Sequence, residues 1–211
     1  MVLRFLFYFV VLKPLALVVL GLNVRRRDLL PASGPAIVVA NHNSHLDTAV
    51  LISLFPFRAA SRIRPVAAAD YFFRNRWLAW FSKNIMQIIA VDRKAGAAKL
   101  ELMREIAEAL KRGEIVLLFP EGTRGEPERL AEFKSGIAHI AKQHPETPIT
   151  PVFLHGLGKA LPRGEALLVP FFCDVFVGQP LFWNGERQAF MQTLRETFET
   201  LAGEGHLAPW E

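Results

Sequence analysis

Two short polar clusters interrupt an otherwise apolar chain, and each holds the residue types that proton transfer or anion binding requires. The first is Asn41-His42-Asn43-Ser44-His45-Leu46-Asp47, set between an apolar run and a stretch of helical period. An imidazole at a strand-to-helix turn lies in a cleft, and a carboxylate about one helical turn further on can fold back to hydrogen-bond one of its ring nitrogens. Such a bond selects the tautomer and leaves the other nitrogen to take a proton from a hydroxyl. His42 is then a general base and Asp47 its orienter. The same residues also fit a capping box, in which Ser44 caps the helix and Asp47 reaches back to the Ser44 amide. They fit a third chemistry less well: His42, His45 and Asp47 as metal ligands of a hydrolase. His-x2-His-x-Asp is not a usual zinc spacing, and His139, His144, His155 and His206 are scattered.

The second cluster is Phe119-Pro120-Glu121-Gly122-Thr123-Arg124-Gly125. Gly122 lets the backbone approach a ligand, Arg124 offers a planar fork of donors for phosphate oxygens, and Thr123 adds a hydroxyl. A plain surface turn with a salt bridge uses the same residue types. Arg93, in Ile88-Ile89-Ala90-Val91-Asp92-Arg93-Lys94, follows another apolar run and can reach the same place if both runs are strands of one parallel sheet.

The elements that must position these residues alternate. Strands are expected at 36–40, 64–68, 88–92, 115–119, 149–154 and 166–177, the last long enough to bend or divide. Helical stretches fall at 46–54, 71–84, 95–112, 135–143 and 186–202. The third helix is the clearest, with Leu100, Met103, Ala107 and Leu110 on one face, Lys99, Glu101, Arg104, Glu105 and Glu108 turned away, and Gly113 ending it. This pattern predicts a single α/β domain: a mixed, largely parallel sheet flanked by helices, with ligands gathering beyond the carboxyl ends of the strands. The lone cysteine, Cys173, excludes an intramolecular disulfide and a cysteine-based zinc site, reads as a small buried hydrophobe, and fits a reducing compartment.

Taken together, His42-x4-Asp47, Arg93, Phe119 to Arg124 and the run Ile149-Thr150-Pro151-Val152 resemble the four-block signature of the glycerolipid acyltransferase family, in the family's order and over about half the chain. They are most similar to its bacterial 1-acylglycerol-3-phosphate acyltransferase group. The resemblance implies transfer of a fatty acyl group from acyl-CoA or acyl carrier protein, as co-substrate and without a cofactor or metal, to the sn-2 hydroxyl of a lysophospholipid. It implies His42 as base and Asp47 as its partner, with Arg93, Glu121, Gly122, Thr123 and Arg124 shaping the site for the acceptor's phosphate and Pro151 lining the pocket. Gln87 stands where the family often has Gly, and Gly125 where it often has Ser, so other lysolipid acceptors, such as a lyso-amino-acid lipid, stay open. With no Gly-x-Ser-x-Gly elbow and no histidine partner evident for Cys173, direct transfer without an acyl-enzyme is expected.

Residues 2–24 are almost wholly apolar, broken by Arg4, Lys13 and Pro14, and run into Arg25-Arg26-Arg27. A charge and a helix-breaking proline are costly at bilayer depth, and each half is shorter than the roughly 20 residues a span requires. Two short helices lying in the membrane interface are expected, with Lys13 and the arginine run on anionic headgroups. A single tilted span, a signal peptide and a buried core helix are the alternatives. The chain thus divides into a membrane-associating segment, 1–27, and an acyltransferase domain, 28–211, with its site on the cytoplasmic side of the membrane.

Composition agrees with a lipid-facing protein. At 51% hydrophobic against 21% charged, the chain is apolar for a soluble domain, and its net charge of +5 suits an anionic partner. Arg58, Arg62, Arg64, Arg74, Arg76 and Lys83 are candidates to face headgroups, a phosphorylated acceptor or an acidic carrier, a solvated face being the alternative for each. Nucleic acid is not an expected partner, because the cations are not interleaved with exposed aromatics in a recognisable motif. The non-enzymatic alternative is a lipid-binding protein that needs His42 only for packing.

Overall fold

The run Ala36-Ile37-Val38-Val39-Ala40 has no polar side chain and is buried throughout, so it can only be a strand covered on both faces. In the computed structural model, which describes residues 2–14, 20–44, 46–68, 75–91, 98–123, 125, 129–160 and 171–205, it is the middle strand of a seven-stranded sheet. The strands are β1 (Leu20–Arg25), β2 (Ala36–Ala40), β3 (Ile63–Ala68), β4 (Ile89–Val91), β5 (Ile115–Leu118), β6 (Ile149–His155) and β7 (Phe171–Val177). Their spatial order is β1-β7-β6-β2-β5-β3-β4, and every pairing is parallel except β6 with β7.

The helices are α1 (Val2–Leu6), α2 (Asp47–Leu54), α3 (Phe57–Ala60), α4 (Arg76–Phe81), α5 (Ala98–Lys111), α6 (Gly136–Gln143), α7 (Leu157–Ala160) and α8 (Arg187–Gly203). Helices α1 and α4 each run on into a wider π turn, Phe7–Leu12 and Ser82–Met86. Strand alternation divides the core in two. Ala36, Val38 and Ala40 join Ile115 and Leu117 under α2, α3 and the first helical segment. Ile37 and Val39 join Val116 and Leu118 under α5, α6 and α8. Because β2 pairs with β5 in parallel, Ala36 opposite Ile115 through Val39 opposite Leu118, the chain leaves both strands at the same edge.

Three sequence expectations need correction. Leu20–Arg25 is not the end of a membrane helix but edge strand β1, paired with β7 from Leu20 opposite Phe171 to Arg25 opposite Phe176. The arginine run is exposed and also contacts the domain: Arg26 Nε donates to Val177 O at 2.8 Å and its guanidinium meets Glu204 at 2.8 Å, while Arg27 Nε donates to Leu54 O at 2.9 Å. Arg64 is spent internally, in an ion pair with Glu114. Leu100 is 77% exposed, because the buried stripe of α5 centres on Ile106 with Ala109 and Leu110, and Leu100 sits about a third of a turn off it.

The first helical segment is bolted to the frame. Arg4 donates to Ser61 O at 2.8 Å and to the Gln87 side chain, and the Tyr8 hydroxyl donates to Phe55 O. Gln87 has φ +53°, a left-handed conformation in which Gly, lacking a Cβ, is the least strained residue. Among the described residues no helix is long and apolar enough to cross a membrane. Even so, Val2, Leu3, Phe5, Leu6, Phe9, Val10 and Val11 are exposed, as are Trp77 and Trp80 on α4. The two helical segments touch where Phe7 meets Phe81 edge to face at 5.0 Å.

Beyond the last β2–β6 pair, Ala40 with Val152, side-chain bonds replace the ladder. Buried Asn41 donates through Nδ2 to Leu154 O at 2.8 Å and accepts from Leu154 N at 2.7 Å, and Asn43 Nδ2 donates to the same carbonyl at 3.0 Å. Asn41→Ala strands the buried Leu154 N–H, an expected loss of about 1–3 kcal/mol. A lower urea midpoint at unchanged slope is the expected sign; an unchanged midpoint would show that the clamp contributes nothing.

Candidate active site

The turn from β2 into α2 gathers its polar groups around one carboxylate. His42 Nδ1 lies 2.8 Å from Asp47 Oδ2, and the same oxygen accepts the backbone N–H of Asn43 at 2.7 Å and of Ser44 at 2.9 Å. The two structural possibilities in the sequence are therefore both realised. Asp47 reaches back to the Ser44 amide as a capping-box acid does, and it also holds His42. The serine half of the box is missing: Ser44 Oγ accepts from Leu46 N at 3.3 Å, and the helix starts without a side-chain cap.

Burial differs sharply across the pair, the Asp47 side chain being 0% exposed and that of His42 21%. The carboxylate is inside and the imidazole at the mouth. Burial pushes the Asp47 carboxyl above its ordinary range, against the pull of His42 and the two amides. With Nδ1 engaged by Asp47, Nε2 is the other ring nitrogen of a half-buried imidazole. Phe119 holds the ring from one face, with centroids 4.1 Å apart and planes 16° from parallel.

The loop after β5 is bound to His42 from both sides. The His42 amide points at Glu121 Oε1 at 3.4 Å, and Gly125 N donates to His42 O at 3.2 Å. Gly122 closes the turn with N–H to Phe119 O at 3.0 Å and φ +73°, which a side chain rarely adopts. Glu121 is buried, while Thr123 beside it is exposed. Burial first, and then the neighbouring Asp47 charge, raise the Glu121 carboxyl to about 7, although the His42 amide draws it down.

His42, Asp47, Glu121, Gly122 and Thr123 thus come together at one sheet edge. Arg93, Arg124 and His45 lie outside the described residues. Pro151 is not brought to the cluster. It is in phase with Ile149 and Phe153, on the α5–α6–α8 side of the sheet, and closes on Gly178, where a Cβ would stand 2.8 Å from Pro151 Cγ and also meet Leu201 and Thr197 of α8. It is buried in the core on that side. Of the metal-site alternative His42, His45 and Asp47, the first and last are in contact and His45 lies outside the described residues. Among the described residues no group of three or more His, Cys, Asp or Glu could hold an ion.

Asn41, Asn43 and Phe119 support the site and were not singled out individually from the sequence. Only Asn41 carried a local signal: a polar residue that continues a fully buried strand needs a partner for its amide.

Residues 21–155, from β1 to the end of β6, match the family model described as Acyltransferase, and both clusters fall inside the match. The chain is 31% identical over 165 residues to a chloroplastic 1-acyl-sn-glycerol-3-phosphate acyltransferase of Arabidopsis thaliana, covering 76% of this chain and 43% of that protein. It is 29% identical over 169 residues to the 1-acyl-sn-glycerol-3-phosphate acyltransferase alpha of Homo sapiens, covering 77% and 56%. The chain spans about half the length of these relatives. Among solved structures, the 1-acyl-sn-glycerophosphate acyltransferase of Thermotoga maritima shares the fold, with a TM-score of 0.70 over 87% of this chain and 72% of that one at 21% identity.

Glu121 has a consequence for stability. Folding raises its carboxyl from the ordinary 4.5 to about 7, so the folded state binds the proton more tightly than the unfolded chain. Its favourable contribution is complete below about pH 4.5 and is lost as pH rises through 7. Wild-type melting temperature is therefore expected to fall relative to Glu121→Gln between pH 5 and 8. Parallel melting profiles for the two proteins would show that Glu121 is not held protonated.

Proposed function

The chain belongs to the acyltransferase family, whose model spans more than half of it, and on that premise we propose that it moves a fatty acyl group from an acyl thioester to the sn-2 hydroxyl of 1-acylglycerol 3-phosphate or a close lysophospholipid. The observation that carries the proposal is the 2.8 Å contact between His42 and Asp47 at the edge where the Glu121-Gly122-Thr123 loop also arrives. A buried carboxylate on Nδ1 leaves Nε2 as a base at the mouth of the cleft.

In the reaction, Nε2 takes the hydroxyl proton as the acceptor oxygen bonds to the thioester carbonyl carbon. The tetrahedral species collapses, the carbon–sulfur bond breaks, and the imidazolium returns the proton to the thiolate. No enzyme atom is acylated, and Cys173, in β7, is fully buried. Asp47 holds the ring and stabilises the imidazolium without taking its proton. The 121–124 loop, together with Arg93, receives the acceptor's phosphate. CoA and acyl carrier protein are the two donors to compare.

The protein works at a membrane surface, on its cytoplasmic side, as a monotopic enzyme. The exposed apolar side chains of the first helical segment and of Trp77 and Trp80 support this, since in water they form an uncovered patch.

His42→Ala is expected to lower kcat by roughly a hundred- to ten-thousand-fold with an unchanged melting temperature, measured as free thiol released on mixing acyl thioester with lysophosphatidic acid. Near-normal turnover would remove His42 as the base, and no turnover by the wild-type protein with any lysolipid would favour a lipid-binding protein instead. Arg124→Ala should chiefly raise the acceptor KM. Replacing Trp77 and Trp80 by Ser should weaken sedimentation with anionic vesicles, and unchanged sedimentation would argue against that surface as the docking face.

A further inference from the structure

Beyond the Glu121-Gly122-Thr123 turn the chain comes back to touch it at Lys134. The Lys134 backbone N–H donates to Pro120 O at 2.8 Å. Its side chain then lies flat across Gly122, so closely that a Cβ on that glycine would stand 2.7 Å from Nζ and 3.0 Å from both Cδ and Cε. Glycine here does more than permit a left-handed turn: any side chain would occupy the path of the lysine.

The backbone that carries Lys134 is held firmly. Phe133 before it is buried and meets Phe198 edge to face at 5.0 Å, and α6 begins just after it. Arg195 donates to Ala131 O at 3.1 Å and lies over the Phe133 ring at 5.7 Å. The lysine itself is exposed, and no carboxylate of the described residues pairs with it. A fixed stem with an open ammonium, laid on the loop that contacts His42, is suited to an anion in the same cleft.

We propose that Lys134 binds the phosphate of the acceptor, above the Gly122 turn. The inference rests on the acyl-transfer reading, and covalent distance selects the ligand. In a glycerol 3-phosphate acceptor only a few bonds separate the reacting hydroxyl from phosphorus, so a hydroxyl at His42 puts the phosphate beside the adjoining loop. The phosphates of an acyl thioester donor are removed from the reacting carbonyl by the whole pantetheine arm. With the Asp47 carboxylate next to His42, a phosphate dianion there also needs a nearby cation to offset it.

The test is Lys134→Ala and Lys134→Arg, with acceptor and donor concentrations varied separately. Lys134→Ala should raise the acceptor KM by roughly tenfold, the worth of a charge-assisted hydrogen bond, at unchanged donor KM and melting temperature. Lys134→Arg should recover most of the loss, and with phosphate-free monoacylglycerol as acceptor the wild type and Lys134→Ala should perform alike. A rise confined to the donor KM, or no change in acceptor KM, overturns the assignment. If the wild-type protein transfers no acyl group, the acyl-transfer reading fails on its own. Titration with short-chain lysophosphatidate below its micelle concentration then decides the lysine: weaker binding by Lys134→Ala supports it, and equal binding refutes it.

Discussion

One oxygen organises this molecule's functional edge. Asp47 Oδ2 is fully buried and accepts from an imidazole and two backbone amides, and a buried carboxylate is tolerable only with such a set of donors. The three donors come from consecutive residues, 42 to 44, so satisfying the oxygen also dictates the path of the turn between β2 and α2. The catalytic candidate and the helix start are therefore products of the same requirement. That is why the capping pattern and the dyad pattern in the sequence do not compete.

The second constraint is the parallel register of β2 and β5, which delivers two segments more than seventy residues apart to one edge. Backbone bonds then tie them together, with the His42 amide on Glu121 and its carbonyl on the Gly125 amide. Phe119 completes the mounting by stacking on the ring. His42 is thus positioned through its amide, its carbonyl, one ring nitrogen and one ring face.

What could be read from the residues alone follows from where each signal resides. β2 and β5 were legible because two-sided burial demands unbroken apolar runs, and the dyad because its partners lie within one helical turn. β1 was hidden, since Leu20–Arg25 continues an apolar stretch and contains Asn23 and Arg25, and its strand character depends on β7, far along the chain. Pro151 shows the reverse: it pairs with Val39, just before the His42 turn, yet strand phase sets it on the face covered by α5, α6 and α8. Lys134 carried no spacing signal, because its approach to Gly122 exists only once α6 has docked.

The bond between Arg4 and Gln87 ties the far N-terminus to the entrance of β4. A left-handed non-glycine residue costs about 1 kcal/mol, and at Gln87 that cost persists while the side chain has a cation to accept from. Peeling the first helix away removes the compensation and frees the backbone at 87 to relax, and by thermodynamic reciprocity a disturbance at 87 loosens the helix to the same degree. Detachment of the greasy N-terminal segment and relaxation of the backbone at the entrance of β4 are therefore linked equilibria.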